Sequence, residues 1–194
     1  TITGSNANDT LTGGASADII LGGTGDDIIE GGLGADTLTG GAGDDEFDFT
    51  ASSSTIAGWD RITDYQAAAA DEHNDKLDNV TGAVSANTTG IDVKSAISGD
   101  STGKTVTAAV TNGIVTLSGA NAAEINTLAE WYSVVSTDGV IAKAADDADS
   151  VGTVAFAFLG NTYVIESNDT FNNNTANVSI VNVIELAGLT GVTA

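Results

Sequence analysis

The sequence predicts a mainly β chain: a coil of short parallel strands, then a mixed or antiparallel β unit with one or two short helices. Three observations predict this class. A nine-residue phrase repeats in tandem over residues 4–48. Short segments that alternate apolar and polar residues, a pattern typical of half-buried strands, recur after residue 104. One stretch, residues 121–135, places its apolar residues at helical spacing instead.

The repeated phrase has the form Gly-Gly-x-Gly-x-Asp-x-apolar-x. Its five copies, from Gly4 to Asp48, read GSNANDTLT, GGASADIIL, GGTGDDIIE, GGLGADTLT and GGAGDDEFD. The first six residues favour a tight turn, because glycine accepts backbone angles that side chains resist. The last three predict a short strand whose central side chain points inward. Two copies then complete one coil of eighteen residues, with copies 1, 3 and 5 on one edge and copies 2 and 4 on the other.

The phase of the repeat aligns one carboxylate and one apolar side chain in every copy. The acids are Asp9, Asp18, Asp27, Asp36 and Asp45, and the apolar residues are Leu11, Ile20, Ile29, Leu38 and Phe47. Stacked carboxylates repel each other unless a cation lies between them, and hard oxygen ligands suit Ca²⁺. The second acids of copies 3 and 5, Asp26 and Asp44, are expected to face solvent. Without metal, such a Gly/Asp-rich stretch has the composition of a disordered segment.

This phrase resembles the calcium-binding nonapeptide of RTX (repeats-in-toxin) proteins, and the resemblance implies a parallel β-roll over residues 1–50. In that family each ion lies between two turns on one edge. It takes carbonyls from positions 2 and 4 and the Asp of one turn, with carbonyls from positions 1 and 3 and the Asp of the next. Carried over, the first implied site is Ser5, Ala7, Asp9, Gly22, Thr24 and Asp27. The second is Gly14, Ser16, Asp18, Gly31, Leu33 and Asp36. The third is Gly23, Gly25, Asp27, Gly40, Ala42 and Asp45. About three or more Ca²⁺ ions are therefore expected.

The net charge of the chain excludes nucleic acid as a partner and favours bound cations. There are 27 acidic residues against 5 Lys and Arg, a formal net charge of −22. Nucleic acid is excluded as a partner because no basic patch could neutralise phosphate, and insertion into a membrane is not expected. Self-repulsion of this size opposes a compact state until cations offset it. The chain has no cysteine, so neither disulfides nor thiolate metal sites contribute.

The sequence also bears on export. No stretch reaches the roughly 18 apolar residues of a membrane span, and no N-terminal signal peptide is visible. The RTX resemblance implies an uncleaved C-terminal signal read by type I secretion machinery, and hence an extracellular location. Thr1 begins as if in mid-array, so the chain is expected to be the C-terminal piece of a longer protein.

Residues 51–79 are predicted to be a transition segment that covers the end of the roll. The stretch STIAGWDRITDYQ, residues 54–66 with the preceding Ser53, resembles the segment after the roll in serralysin-type proteins. That resemblance implies a short strand and a calcium-ligating role for Asp60. The usual acidic partner seven residues earlier is Ser53 here, and the alternative is that Asp60 is a turn residue. His73, the single histidine, is expected to be solvated.

Residues 80–194 are predicted to form a second, β-rich unit. Strands at 105–110 and 114–118 flank Asn112-Gly113, a hairpin signal because both residues accept positive φ. A helix is expected to start at Asn121, with Glu124 completing a capping box, and a shorter one to run from Val140 to Ala145. Strands at 153–158 and 162–165 are joined by a predicted Gly160-Asn161 turn, and a last strand follows at 179–186. The candidate core residues are Phe156, Phe158, Tyr163, Ile184 and Leu186.

No motif points to catalysis. HExxH, GxSxG and a P-loop are absent, and one histidine cannot build a His-rich zinc site. The stretch from Phe158 to Gly191 resembles the C-termini of surface-layer RTX proteins and of other type I secreted proteins. The sequence therefore predicts a non-catalytic, calcium-dependent folding and secretion module of a surface-layer-like protein, with self-association in a lattice as its mature role. Two alternatives stay open: the tail of a secreted hydrolase, such as a serralysin-like protease or a lipase, and the tail of an adhesin.

Overall fold

The structure is a computed structural model. It describes residues 1–49, 58–66, 74–78, 83–84, 88–94, 105–111, 114–118, 127–128, 130–131, 152–168 and 179–189. These residues form fifteen strands and one helical turn, which confirms the mainly β class. The chain divides into two compact units: residues 1–81, 157–165 and 181–191 form unit 1, and residues 82–156, 166–180 and 192–194 form unit 2.

The repeats in unit 1 form two parallel sheets that face each other across a narrow core. Sheet A takes β1 (Ile2–Thr3), β3 (Ile19–Thr24), β5 (Thr37–Ala42) and β7 (Asp60–Ile62), in that order. Sheet B takes β2 (Thr10–Gly14), β4 (Ile28–Gly32), β6 (Glu46–Asp48) and β8 (Lys76–Asp78). Because the chain alternates between the sheets, each strand pairs with the strand two copies later, and the prediction of a parallel β-roll is confirmed.

The register repeats every eighteen residues, as two nonapeptides per coil require. Leu11 pairs with Ile29, and Ile29 pairs with Phe47. The strands are longer than predicted, since β2, β3, β4 and β5 continue into the first residues of the next copy. Strand pairing uses only backbone groups, so the Gly-Gly start of each copy pairs as well as the apolar residues before it.

The inward side chains form the core of the roll. Ile20, Ile29, Leu38, Phe47 and Ile62 have no accessible surface, whereas their neighbours at positions 7 and 9 are exposed or half-buried. A fully buried side chain of this size stabilises a fold by roughly 1.5–3 kcal/mol. The inward residues of the first coil, Ile2 and Leu11, are only half-buried because they have a neighbouring coil on one side only.

A further coil follows the fifth repeat, in spite of its different sequence. Ile62 pairs with Leu38, an offset of 24 residues, and Leu77 pairs with Phe47, an offset of 30. Phe47 and Ile62 are 15 residues apart, and so are Ile62 and Leu77, so each of these two half-coils is six residues longer than a nonapeptide. The transition segment thus continues both sheets in register, while its residues 51–57, 67–73 and 79 lie outside the described residues.

The C-terminal strands continue sheet A within unit 1. The strand β15 (Ser179–Leu186) pairs in parallel with β7, with Ile184 opposite Asp60, and β14 (Asn161–Asn168) follows it in the sheet. Buried Glu185 holds this junction by accepting hydrogen bonds from Trp59 Nε1 (2.9 Å), Arg61 Nη1 (3.1 Å) and Asn161 Nδ2 (2.6 Å). Charge-assisted bonds of this kind are about twice as strong as neutral ones.

Unit 2 is a mixed sheet. The strand β10 (Thr88–Lys94) pairs antiparallel with β11 (Thr105–Thr111), which pairs antiparallel with β12 (Ile114–Ser118). The predicted hairpin is therefore present, although its turn residues 112–113 lie outside the described residues. The strand β13 (Gly152–Phe158) pairs in parallel with both β12 and β9 (Ala83–Val84).

The helix of unit 2 is described only in part. Thr127 is a bend, and its side chain accepts from Glu130 N (3.2 Å), while Glu130 Oε2 accepts from Thr127 N (3.0 Å). This reciprocal pair is a capping box, six residues after the predicted start at Asn121. Trp131 follows in the helical turn and stacks on Phe156 with ring centroids 4.5 Å apart. Residues 121–126 and 132–135 and the second predicted helix, Val140 to Ala145, lie outside the described residues.

The turn between β13 and β14 differs by one residue from the prediction. Leu159 and Gly160 are its central residues, with φ of 49° and 83°, as a two-residue hairpin turn with two positive φ angles requires. Asn161 instead starts β14, where its side chain bonds both Glu185 and the backbone N–H of Gly188. Of the predicted core residues, Phe158 is half-buried, and the other four are buried: Phe156, Tyr163, Ile184 and Leu186. Within the described residues, no helix has the length and apolarity to cross a bilayer.

Candidate calcium-binding loops

The first six residues of each copy connect one sheet to the other. The loops of copies 1, 3 and 5, residues 4–9, 22–27 and 40–45, stack on one side of the roll, here called the odd edge. The loops of copies 2 and 4, residues 13–18 and 31–36, stack on the opposite side, the even edge. Each aspartate of the repeat is the last residue of its loop.

A ladder of aspartates runs along the odd edge. The backbone N–H of Asp9 donates to Oδ1 of Asp27 (2.8 Å), and that of Asp27 donates to Oδ1 of Asp45 (2.9 Å). The series continues past the repeats, because the N–H of Asp45 donates to Oδ1 of Asp75 (3.1 Å). Each carboxylate is thus fixed by the loop before it and lies between two successive loops.

The even edge carries the same ladder. Asp18 N donates to Asp36 Oδ1 (2.8 Å), and Asp36 N donates to Asp60 Oδ1 (2.9 Å). Asp60 is buried, and it occupies the position that the acid of a sixth repeat would take. The alternative, an ordinary turn residue, does not describe it, since Asp60 is the first residue of β7.

Carbonyl oxygens converge on the gap between successive loops. Gly23 O points towards Gly41, and Gly40 O points back towards Gly22, so closely that a Cβ on Gly41 or Gly22 would overlap the facing oxygen. The other two gaps have the same arrangement, with the facing pairs Ser5 O and Gly23, Gly22 O and Gly4, Gly14 O and Gly32, and Gly31 O and Gly13. Glycine at these positions therefore leaves the room that the oxygens occupy.

The remaining predicted carbonyl donors also lie on these loops. The side chains of six of them are exposed: Ser5, Ala7, Ser16, Thr24, Leu33 and Ala42. Three of the carbonyls accept backbone hydrogen bonds across the gaps: Ser5 O from Thr24 N (3.2 Å), Gly14 O from Leu33 N (2.8 Å) and Ala42 O from Gly25 N (2.8 Å). A carbonyl oxygen has two lone pairs, so such a bond leaves one for a cation.

Two buried carboxylate oxygens have no partner. Asp27 and Asp36 are each 1 % exposed, and their Oδ2 atoms accept no hydrogen bond. Among the described residues, the Lys and Arg ion pairs go to Glu46 and Glu185 and leave both aspartates without a positive neighbour. A buried oxygen with neither hydrogen bond nor counter-ion is costly. The donor set, carboxylate and carbonyl oxygens with no nitrogen or sulfur, is the one that Ca²⁺ prefers.

Two aspartates of the repeats, Asp36 and Asp45, have raised pKa values. Burial, followed by repulsion from Asp75, Asp27 and Asp64, raises the pKa of Asp45 to about 6. Burial also raises the pKa of Asp36, with repulsion from Asp18 adding to the effect. A divalent cation between the loops would remove this repulsion and favour the ionised carboxylates. In the described residues no group of three or more acidic or His side chains is arranged to hold a metal, so a cation in one of these gaps would need backbone carbonyls as further ligands.

The first two loops differ from the later three in backbone conformation. Positions 2 and 4 of copies 3, 4 and 5 are glycines with φ between 91° and 143°. In copies 1 and 2 these positions hold Ser5, Ala7, Gly14 and Ser16, none of which has positive φ. There the position-2 amide turns to its own loop, as Ser5 N donates to Asp9 Oδ2 (2.6 Å) and Gly14 N to Asp18 Oδ2 (3.0 Å). Residues with a Cβ resist positive φ, which accounts for Ser5, Ala7 and Ser16 but not for Gly14.

A second, exposed ladder runs beside the aspartates on the odd edge. Asp26 N donates to Asn8 Oδ1 (3.0 Å), Asp44 N to Asp26 Oδ1 (3.0 Å) and Asn74 N to Asp44 Oδ1 (2.9 Å). Asp26 and Asp44 are exposed, as expected from their place in the repeat. They link neighbouring coils from the outside and do not enter the gaps.

Two acids that were not predicted from the sequence, Asp64 and Asp75, also take part in the loops. Asp75 accepts from Asp45 N and also from Gln66 N (2.8 Å), and Asp64 accepts from the amides of Gly40 and Gly41. A signal for Asp75 was present, since Asp75-Lys76-Leu77 repeats the Asp-x-apolar end of each copy. Asp64 has no counterpart in the nonapeptide, and its role follows only from the pairing of β5 with β7.

The comparison with protein-family models agrees with this arrangement. The sequence model of the RTX calcium-binding nonapeptide repeat (4 copies) matches residues 1–29 and 21–56, so this part of the chain carries RTX repeats, which bind calcium. A comparison with curated protein sequences gives no match. One similar solved structure is the solution structure of the AlgE6R3 subunit of the mannuronan C5-epimerase from Azotobacter vinelandii. The two chains are 27% identical over 62% of this chain and 75% of that one, with a TM-score of 0.28.

Proposed function

We propose that residues 1–48 hold three Ca²⁺ ions, one in each gap between successive loops, and that these ions fold the roll. The first ion would lie between Asp9 and Asp27, the second between Asp18 and Asp36, and the third between Asp27 and Asp45, each with the carbonyls assigned from the sequence. The observation that carries the proposal is the pair of buried, unpartnered oxygens, Asp27 Oδ2 and Asp36 Oδ2. A fourth ion beside Asp60 is also part of the proposal.

Calcium would act as a folding switch. A ligand bound only by the folded form stabilises it by RT ln(1 + [L]/Kd), about 1.4 kcal/mol per ion when free calcium is ten times Kd. Extracellular calcium modules bind with Kd on the order of 10⁻⁴–10⁻³ M. The roll would thus stay unfolded where calcium is scarce and fold after export to a calcium-rich exterior, which suits a protein of a type I secretion system.

The place of the C-terminal strand supports this role. β15 follows the roll in the sequence and forms the neighbour of β7 in sheet A. In type I secretion the C-terminal part of a chain leaves first, so β15 would already be outside when the roll begins to fold. Parallel strands far apart in sequence pair slowly, and a docked neighbour offers β7 a template.

The mature role that we propose is that of a non-catalytic module of a surface-layer-like protein. Exposed apolar side chains on the outer faces of the sheets, Ile19 and Leu21 on sheet A and Ile28 on sheet B, support self-association in a lattice. Sedimentation velocity with and without calcium tests this part. Calcium-dependent assembly that Leu21→Thr weakens would support it, and a monomer at every concentration would exclude it.

The calcium proposal is tested with the whole chain. Far-UV circular dichroism is followed as Ca²⁺ is added and then chelated, and native mass spectrometry counts the ions bound. We expect β signal to appear with calcium, to disappear with chelator and to respond poorly to Mg²⁺, which demands tighter octahedral geometry. An unchanged spectrum, or a protein that binds no calcium, would refute the proposal.

A further inference from the structure

We propose that Asp64 is a positioning residue for the third calcium ion: it holds the Gly40–Gly41 peptide from outside the gap and aims the Gly40 carbonyl into it. The proposal rests on the proposed function, because it concerns one of the three gaps. Asp64 lies outside the nonapeptides, two residues after the end of β7.

Two hydrogen bonds place the Asp64 carboxylate behind the loop of copy 5. Gly40 N donates to Oδ1 (3.1 Å) and Gly41 N donates to Oδ2 (2.9 Å). In the preceding coil the same stretch is paired by backbone, with Gly23 opposite Gly41 and Thr24 opposite Ala42. β7 ends at Ile62, so the last loop of the repeats would lack this support without a side chain in its place.

The peptide geometry links this contact to the gap. In a trans peptide the N–H and the preceding C=O point in opposite directions, and the chain has no cis peptide bond. The N–H of Gly41 points to Asp64, on the far side of the loop, so the C=O of Gly40 points to the near side. There the Gly40 oxygen faces Gly22, in the gap between Asp27 and Asp45.

A charged acceptor does more than orient the peptide. Hydrogen bonds to an ionised group are shorter and stronger than neutral ones, and linked hydrogen bonds polarise one another. A carboxylate on the N–H side therefore increases the negative charge on the carbonyl oxygen, which makes it a better ligand for a hard cation. Position 2 of copy 1 has a different arrangement, since Ser5 N donates to Asp9 of its own loop.

The test compares Asp64→Ala and Asp64→Asn with the parent chain and with Glu30→Ala. Glu30 is half-buried on the outer face of sheet B, so its variant removes one charge outside the third gap. Calcium is titrated by calorimetry, bound ions are counted by native mass spectrometry, and ¹H–¹⁵N spectra follow the Gly40 and Gly41 amides. We expect Asp64→Ala to weaken one ion by about tenfold or more and to leave the other ions at parent affinity. Asp64→Asn keeps a hydrogen-bond acceptor without the charge, so it should weaken the same ion less than Asp64→Ala does.

Several results would overturn the inference. One is an Asp64→Ala protein that binds every ion like the parent and the Glu30→Ala control. Another is the loss of all ions together, which would give Asp64 a role in folding alone. If Asp64→Ala does not fold at any calcium concentration, Asp64→Asn decides: a single weakened ion supports the inference, and parent-like binding overturns it. A parent chain that binds no calcium would instead refute the proposed function.

Discussion

The side chain of Asp27 offers the sharpest test of the proposed gaps. It lies between Asp9 and Asp45 on the odd edge, is buried, and is assigned to both the first and the third ion. Asp27→Asn keeps an oxygen that can accept from Asp9 N, but it removes the negative charge and puts an NH₂ group where Oδ2 now lies. We expect two of the three ions to be weakened.

The neighbouring residue supplies a matched control. Asp26 carries the same charge, but it is exposed and its Oδ1 accepts from Asp44 N (3.0 Å). Asp26→Asn keeps this acceptor and removes the same unit of charge from the same loop. A difference between the two variants therefore reports the position of the carboxylate and not the net charge of the chain.

The expected size of the effect follows from ligand linkage. At free calcium ten times Kd, each ion contributes about 1.4 kcal/mol to the free energy of unfolding, so the loss of two ions lowers it by about 3 kcal/mol. Urea unfolding at fixed calcium, followed by circular dichroism, measures this difference, and Asp26→Asn should stay within about 0.5 kcal/mol of the parent. Equal calcium titrations for Asp27→Asn and the parent would show that the ions do not lie in these gaps.

Three further predictions concern pH, backbone strain and the C-terminal strand. The pKa of Asp45 in the folded, metal-free roll is about 6 against an ordinary 3.8, so its ionisation opposes folding increasingly as pH rises from about 4 to about 6. Protons compete with calcium over the same range, and circular dichroism titrations should need more calcium below about pH 6; a midpoint independent of pH would contradict this. Gly41→Ala should lower the unfolding free energy by about 1–3 kcal/mol, because φ is 109° and the new Cβ would overlap Gly23 O. Gly188 also has positive φ but open space around it, so Gly188→Ala should cost less. Equal losses in urea unfolding would show that the overlap with Gly23 O does not contribute. Glu185→Ala leaves the donors of Trp59 and Asn161 without their acceptor. It should lower the unfolding free energy by about 2–3 kcal/mol and change the Trp fluorescence. A loss under about 0.5 kcal/mol would mean that β15 pairs with β7 without needing this contact.

The repeats could be predicted from sequence because their physics is local. A strand side chain alternates with period two, and a nine-residue phrase places one apolar residue and one acid at the same point of every half-coil. Ile29 and Asp27, for example, follow from phase alone. The alternation in residues 179–186 and the glycine near residue 160 likewise predicted a strand and a hairpin turn, the turn one residue late because Asn161 is held by Glu185 and Gly188.

Only the tertiary structure decided how the roll ends. Two insertions of six residues each break the phase, so the sequence alone could not place Asp75 next to Asp45 or Asp64 behind Gly40 and Gly41. The parallel pairing of β15 with β7 joins residues more than 120 positions apart, and Glu185 reaches Trp59 and Arg61 only in that register. Periodic sequence determines contacts between neighbouring repeats, whereas contacts across an insertion or between distant strands depend on which surfaces are left to pair once the repeats have stacked.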